Sequence, residues 1–352
     1  MQHDTSAALP QRPGDLGDPS SPHYPRPFNP TPPYAHGFPI EVAPVPIARW
    51  SAGNAGIPFL WSFEAARPGP HVALVALTHG EELGGSFALD ALLREVVRPR
   101  HGRLSLLFNN WRAHERWDPN APNRAFYIDQ DMNRIWQSAL LDGDGQGVEL
   151  DRARELRRFV DSVDLLLDLH STQQPSPCMA LPGWPWRKAR FAQVLGFPDL
   201  IVRDDGPGRL RDWGGLGSET GSRIGLVVEC GQHWRAETGP NALRAAMRLL
   251  RHVGMVEEEF LADRGHADAA GSRVLTVTHT VRARGAGAGL DRIWPDFAEV
   301  AESGTRLGHD GEGEILTPYA NAALIMPVPR PRAGAVMLRM ARQEAGGPLA
   351  SS

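Results

Sequence analysis

His79 and Glu82 stand three residues apart, directly after an apolar run. In a helical or helix-like turn such positions share a face, so an imidazole and a carboxylate can converge on one cation. A nitrogen and oxygen pair suits zinc. Alone the pair is a weak sign, because short His/Glu pairs more often sit solvated at a helix start, and it needs a third ligand and a base. His170 and Glu229 are suited to those roles. His170 follows Val163-Asp164-Leu165-Leu166-Leu167-Asp168-Leu169, and Glu229 follows Ile224-Gly225-Leu226-Val227-Val228. By itself His170 could be a hydrogen-bonded core histidine. A free carboxylate after a run as apolar as that before Glu229 is costly without a partner. Two histidines and a carboxylate that leave a fourth position open are the ligand set of catalytic zinc, with a separate glutamate as base. Asp168, two residues before His170, lies on the same strand face. It either orients that imidazole or serves as a cap or ion pair.

These residues need a scaffold that brings strand ends together. His71 to Leu77 is apolar without alternation after its first residue, as expected of a central parallel strand covered on both faces, and Gly80 supplies freedom for a sharp exit. Strands are expected near 57–63, 104–108, 163–171, 200–202 and 224–231, and helices near 86–97, 149–160, 187–195 and 241–253. This alternation predicts an α/β fold, a mainly parallel or mixed sheet with helices on both faces. In such sheets ligands bind outside the carboxyl ends of the strands, where His79, His170 and Glu229 fall. Beyond about 264 the pattern becomes short apolar pieces at Gly-rich intervals. The expected organisation is a Pro-rich extended or disordered tail over 1–39, a catalytic domain over 40–265, a small β-rich domain over 266–345 and a tail over 346–352.

Composition removes several classes. The net charge of −4 argues against a nucleic-acid binder driven by overall charge. Two cysteines, Cys178 and Cys230, cannot make a disulfide framework in 352 residues and suggest a reducing compartment. Cys230 adjoins Glu229, has no evident histidine companion and is read as packing. No run of 18 apolar residues and no apolar segment at the N-terminus occur, so neither a membrane span nor a secretory signal is expected, and the expected location is the cytoplasm. The absence of Gly-x-Ser-x-Gly disfavours a serine α/β-hydrolase.

Four motifs in order resemble the succinylglutamate desuccinylase/aspartoacylase branch of the zinc carboxypeptidase-like hydrolases. They are Thr78-His79-Gly80-Glu81-Glu82, Asp129-Gln130-Asp131-Met132-Asn133-Arg134, Asp168-Leu169-His170-Ser171 and Val228-Glu229-Cys230-Gly231. The resemblance spans roughly 45 to 345, and its C-terminal part resembles the family's substrate-side cap. It implies one zinc per chain on His79, Glu82 and His170, Glu229 as general base, and Asn133 with Arg134 on a substrate carboxylate. The implied activity is hydrolysis of the amide bond of a small N-acyl amino acid or a related carboxylate-bearing amide. A carboxypeptidase, or a binding protein on a retired scaffold, would use the same residues. Members of the family place an arginine eight positions before Arg134, where it stabilises the oxyanion; here that position is Phe126. Arg124 is the nearest substitute, with Arg209 and Arg211 as further cations for oxyanion or substrate. The partner is a small molecule with a carboxylate, and the oligomeric state is left open.

Overall fold

The computed structural model describes residues 37–256 and 271–344. Residues 1–36 of the Pro-rich segment, the junction expected near 265 and the terminal residues from 345 lie outside the described residues. The chain first lays down β1 (Leu60–Glu64), β2 (His71–Ala76), α1 (Leu83–Arg94) and β3 (Arg103–Phe108). Two short helices, α2 (Trp111–His114) and α3 (Ser138–Leu141), precede the longer α4 (Val148–Asp161). Then come β4 (Leu165–Thr172), β5 (Met179–Leu181), α5 (Trp186–Leu195), β6 (Leu200–Arg203), β7 (Ile224–Gln232) and α6 (Thr238–His252). The remainder is β8 (Arg273–Arg282), β9 (Gly289–Leu290), β10 (Glu299–Val300), β11 (Arg306–His309), β12 (Glu314–Leu316), β13 (Ala322–Ile325) and β14 (Val336–Gln343).

Eleven strands form one sheet in the order β1-β3-β2-β4-β7-β5-β6-β8-β14-β13-β10, and β12-β11-β9 form a second. β2 runs parallel to β3 and β4, β4 to β7, β5 to β6 and β6 to β8. β5 runs antiparallel to β7, as does every pair beyond β8 in the large sheet. The mixed α/β fold is therefore the expected one. The change of texture after 264 is also present as antiparallel β structure, but β8 pairs directly with β6, Ile201 opposite Val274, so the main sheet continues into it.

The apolar run of β2 is unbroken because both its faces are covered. Val72, Leu74 and Ala76 pack with Leu89 and Leu92 of α1 and Ala246 and Leu250 of α6. Ala73 and Val75 point the other way, to Leu150, Ala153 and Leu156 of α4. Period-two geometry is thus intact beneath a sequence with no alternation. Element ends shift by a few residues: α1 begins at Leu83 with Glu82 as its cap residue, and α6 begins at Thr238. Among the described residues no helix is long and apolar enough to cross a membrane.

Candidate metal centre

β2 leads into His79 and Glu82 through a compressed exit. Leu77 takes a left-handed φ of 60°, an unusual position for a branched side chain. Gly80 has another reason to be glycine than the expected freedom of φ. A Cβ there would lie 2.3 Å from the His114 nitrogen and 2.6 Å from the Ala125 carbonyl oxygen, so close approach of neighbouring chain requires it. The Glu82 N–H donates to the His79 carbonyl at 3.2 Å, and this single turn puts the two side chains on one side.

Each histidine turns Nδ1 toward the Glu82 carboxylate and Nε2 toward an aspartate. His79 Nδ1 lies 2.8 Å from Glu82 Oε1, and its Nε2 lies 3.0 Å from Asp131 Oδ1. His170 Nδ1 lies 3.0 Å from Glu82 Oε2, and its Nε2 lies 2.8 Å from Asp168 Oδ2. When each Nε2 carries the proton that its aspartate accepts, both Nδ1 atoms aim lone pairs at a carboxylate. Ligand atoms of His79, Glu82 and His170 lie within 4.8 Å of one another, all three buried. Acceptors facing acceptors call for a proton or a cation between them. Without a cation, protons fill that role. Burial opposes a charged imidazole, but Glu82 and Asp131 outweigh it and raise His79 to about 9. Burial opposes a charge on His170 too, and Asp168 and Glu82 drive it well up. Glu82 is held far down by His170 and His79 against its own desolvation. The donor set therefore fits a divalent cation, and the surroundings are built to hold it in place. Thr78 Oγ1 donates to Asp168 Oδ1 at 2.9 Å, and the Ser171 N–H donates to Glu82 Oε2 at 3.2 Å.

Glu229 sits on β7 opposite His170 of β4. Its Oε2 is buried and has no hydrogen-bond partner. Burial pushes the carboxyl up to about 7, with His170 pulling it down and Glu82 pushing it up. Glu81 turns away from the cluster, its Oε1 3.3 Å from His233 Nε2. His79, His170 and Glu229 line one cavity of about 110 Å³. The same cavity is lined by Asn133, Arg134, Arg209, Arg211, Arg339 and Asp204, and by apolar side chains that include Ile325 and Met326 from the C-terminal strands.

The expected cations fare differently. Arg134 is at the cavity with its side chain 49% exposed, donating to the Asn133 carbonyl at 2.7 Å. Asn133 Oδ1 accepts from the Leu210 N–H at 3.0 Å, so its amide also fixes the loop that carries the next two arginines. Arg209 Nη1 donates to Asp204 Oδ2 at 2.6 Å. Arg211 lines the same cavity and is tied into the protein on several sides. Fully buried, it donates to Leu181 O, to Asp204 through Oδ1 and O, and to Asp212 Oδ2. These four bonds nearly exhaust its five N–H groups. Arg124 is exposed on the turn Pro122–Ala125 and lines a surface cleft with Asn120, Phe126, Tyr127 and Arg332, not the cavity that His79 and Glu229 line. Phe126 packs its ring on His79 instead, centroids 4.3 Å apart.

Three side chains had no role assigned from sequence. Asp131 orients His79 and was visible only as part of a motif. Asp204 joins Arg209 and Arg211. Arg339, on β14, lines the cavity, and its guanidinium makes no hydrogen bond to the protein among the described residues. Its one signal is a cation inside the apolar strand Val336-Met337-Leu338-Arg339-Met340.

A buried His-Glu-His group at the carboxyl edge of a mixed sheet, backed by two aspartates and facing a cationic cavity, defines an α/β protein able to hold a metal ion. The chain belongs to the succinylglutamate desuccinylase/aspartoacylase family, whose catalytic-domain profile matches residues 68–253. A probable aspartoacylase of Parasynechococcus marenigrum is 30% identical over 177 residues, 46% of this chain and 52% of that protein. The chain thus spans about half the length of that curated relative. Its fold resembles the succinylglutamate desuccinylase of Vibrio parahaemolyticus, with a TM-score of 0.60 and 15% identity, over 81% of this chain and 86% of that one. The product-bound ectoine utilization protein EutE (DoeB) of Ruegeria pomeroyi matches with a TM-score of 0.56 and 19% identity, over 90% of this chain and 98% of that one.

Proposed function

We propose that this protein is a zinc-dependent hydrolase that cleaves the amide bond of a small N-acyl amino acid or a related amide bearing a carboxylate. One observation carries the reading. A single small cavity is lined both by the two histidines with the unpaired carboxylate of Glu229 and by a set of arginines. Its volume, about 110 Å³, is far below the roughly 300–1,000 Å³ of drug-sized ligand sites, which favours a small substrate over a peptide. Residues 40–265 are read as the catalytic part and 266–345 as a β-rich part closing over the cavity, supported by Ile325, Met326 and Arg339 in its wall.

His79, Glu82 and His170 are the proposed holders of one zinc, which when bound supplies a Lewis acid and makes water nucleophilic near neutral pH. Asp131 and Asp168 keep the two imidazoles turned inward. Glu229, with a free buried oxygen, is suited to take a proton from the attacking water and return it to the leaving amine. Asn133, Arg134, Arg209 and Arg339 orient the substrate carboxylate, arginine offering a planar fork for it. Phe126 and the outward position of Arg124 favour one competing reading, a binding protein that has lost turnover. Turnover of a panel of N-acyl amino acids and peptides with zinc supplied decides, and absence of hydrolysis across the panel would sink the enzyme reading.

Arg339→Leu is expected to raise KM about 10- to 150-fold with kcat and zinc content little changed, since a hydrogen bond to a charged group contributes about 1.5–3 kcal/mol. An unaltered KM would remove Arg339 from the substrate site. The pH profile supplies a separate check. Glu229 must be ionised to accept a proton, so kcat/KM should fall as acid protonates it. Its carboxyl titrates at about 7 with charged His170 and His79 beside it, and a divalent cation in place of their two protons supplies the same positive charge. The acid limb of the zinc-loaded enzyme should therefore also lie at about 7. A limb far from that value would point to a different base.

A further inference from the structure

We propose that Cys178 and Cys230 form a redox-active dithiol that closes to an intrachain disulfide beside Glu229 and makes the end of β7 responsive to oxidants. Sheet register brings the two together. β5 pairs antiparallel with β7, Met179 opposite Glu229 and Ala180 opposite Val228, so one step further along the same register sets Cys178 opposite Cys230. The two thiols lie close enough to interact. Both sit with Ala180 and Val228 on the face that packs under α5 and α6. Glu229 lies on the opposite face, toward the cavity. Residues facing each other in an antiparallel pair have Cα atoms about 4.5–5.5 Å apart. Disulfides span about 4.4–6.8 Å, so the bridge needs little backbone movement.

Access orders the chemistry. Cys178 is partly exposed and Cys230 is buried, and burial raises the Cys230 thiol well above its ordinary range. Cys178, the more accessible of the two, is therefore the sulfur that an oxidant from solvent reaches first. A peroxide is the oxidant class. The Cys178 sulfur attacks the O–O bond, giving the sulfenic acid and one water; the Cys230 sulfur then forms the S–S bond as its proton leaves with the hydroxyl as a second water. Two thiols lose two electrons in all, and the peroxide gains them. A thiol reductant reverses the bond by exchange. Because the cross-link is one residue from Glu229 and misplacement of about 1 Å at a reacting group can cost on the order of 10²-fold, turnover should fall by roughly 10-fold on oxidation.

The test treats the folded, zinc-loaded chain with hydrogen peroxide, counts free thiols and measures intact mass. The expected result is loss of both thiols with a mass lower by about 2 Da, for two hydrogens removed. Dithiothreitol should restore both, and Cys178→Ser should form no bridge. Persistence of both thiols, a cross-linked dimer, or sulfinic acid in place of a bridge would overturn the proposal. So would an intrachain disulfide that leaves turnover unchanged. The catalytic consequence rests on the reading of Glu229, whereas the thiol count does not. If the reduced protein hydrolyses nothing, the proposed function fails while the mass measurement still decides the dithiol.

Discussion

Glu229→Gln is expected to leave zinc bound and to lower turnover by roughly 10²–10⁴-fold, the usual contribution of a positioned general base. The amide keeps the size and hydrogen-bonding capacity of the side chain but cannot accept a proton. Two observations support the split between binding and turnover. Glu229 is outside the close His79, Glu82 and His170 group, and its buried Oε2 has no protein partner to lose. Metal analysis alongside steady-state kinetics reads both properties. Loss of zinc in the variant would make Glu229 a ligand, and near-wild-type turnover would move the base elsewhere. Geometry argues against Glu81 as the substitute, because its Oε1 is directed to His233.

The second large effect concerns the metal. The purified protein should hold about one zinc per chain, and the double variant His79→Ala/His170→Ala should hold none, since two of three ligands are gone. Unchanged zinc content would remove the foundation of the functional reading. Loading should also stabilise the fold, by about 2.7 kcal/mol when free zinc is 100 times its Kd. Metal-free protein should show a pH dependence that loaded protein lacks. Folded His79 binds its proton more tightly than the ordinary 6.5, titrating at about 9, so its contribution is complete below about 6.5 and is lost as pH rises through about 9. That contribution is on the order of 3 kcal/mol. Denaturant melts of chelated and zinc-loaded protein at pH 6 and pH 9.5 measure it. Equal pH dependence in the two forms would argue against a cation replacing the protons.

The parts of the site that were legible in sequence share one property, namely that local pattern alone places them. His79, His170 and Glu229 each follow an apolar run, and strands with both faces covered in an α/β fold present the residues near their carboxyl ends at one edge. Asp168 was legible as a neighbour of His170, with an orienting role and a cap or ion pair both open, because i and i−2 share a strand face, and the structure has it 2.8 Å from His170 Nε2. Proximity in sequence to Phe126 said nothing about the direction of the turn Pro122–Ala125, which leaves Arg124 exposed in a surface cleft beside Phe126. Arg211 was named from its charge, but charge alone does not reveal that Leu181, Asp204 and Asp212 take up its donors.

Sequence by itself determined the fold class and the order in which His79 with Glu82, then His170, then Glu229 follow their apolar runs. Tertiary structure decided which partners those groups meet. The insertion of β5 antiparallel beside β7 sets Met179 against Glu229 and brings the cysteines together, and the continuation of the sheet through β8 to β14 carries Arg339 into the cavity. Asp131 finds His79 across 52 residues of chain. The physical reason is that apolar periodicity reports how a segment is buried by the elements on its two faces, which is a local property. Strand order, register and loop direction are settled by contacts between segments far apart in the chain, and no single segment encodes them.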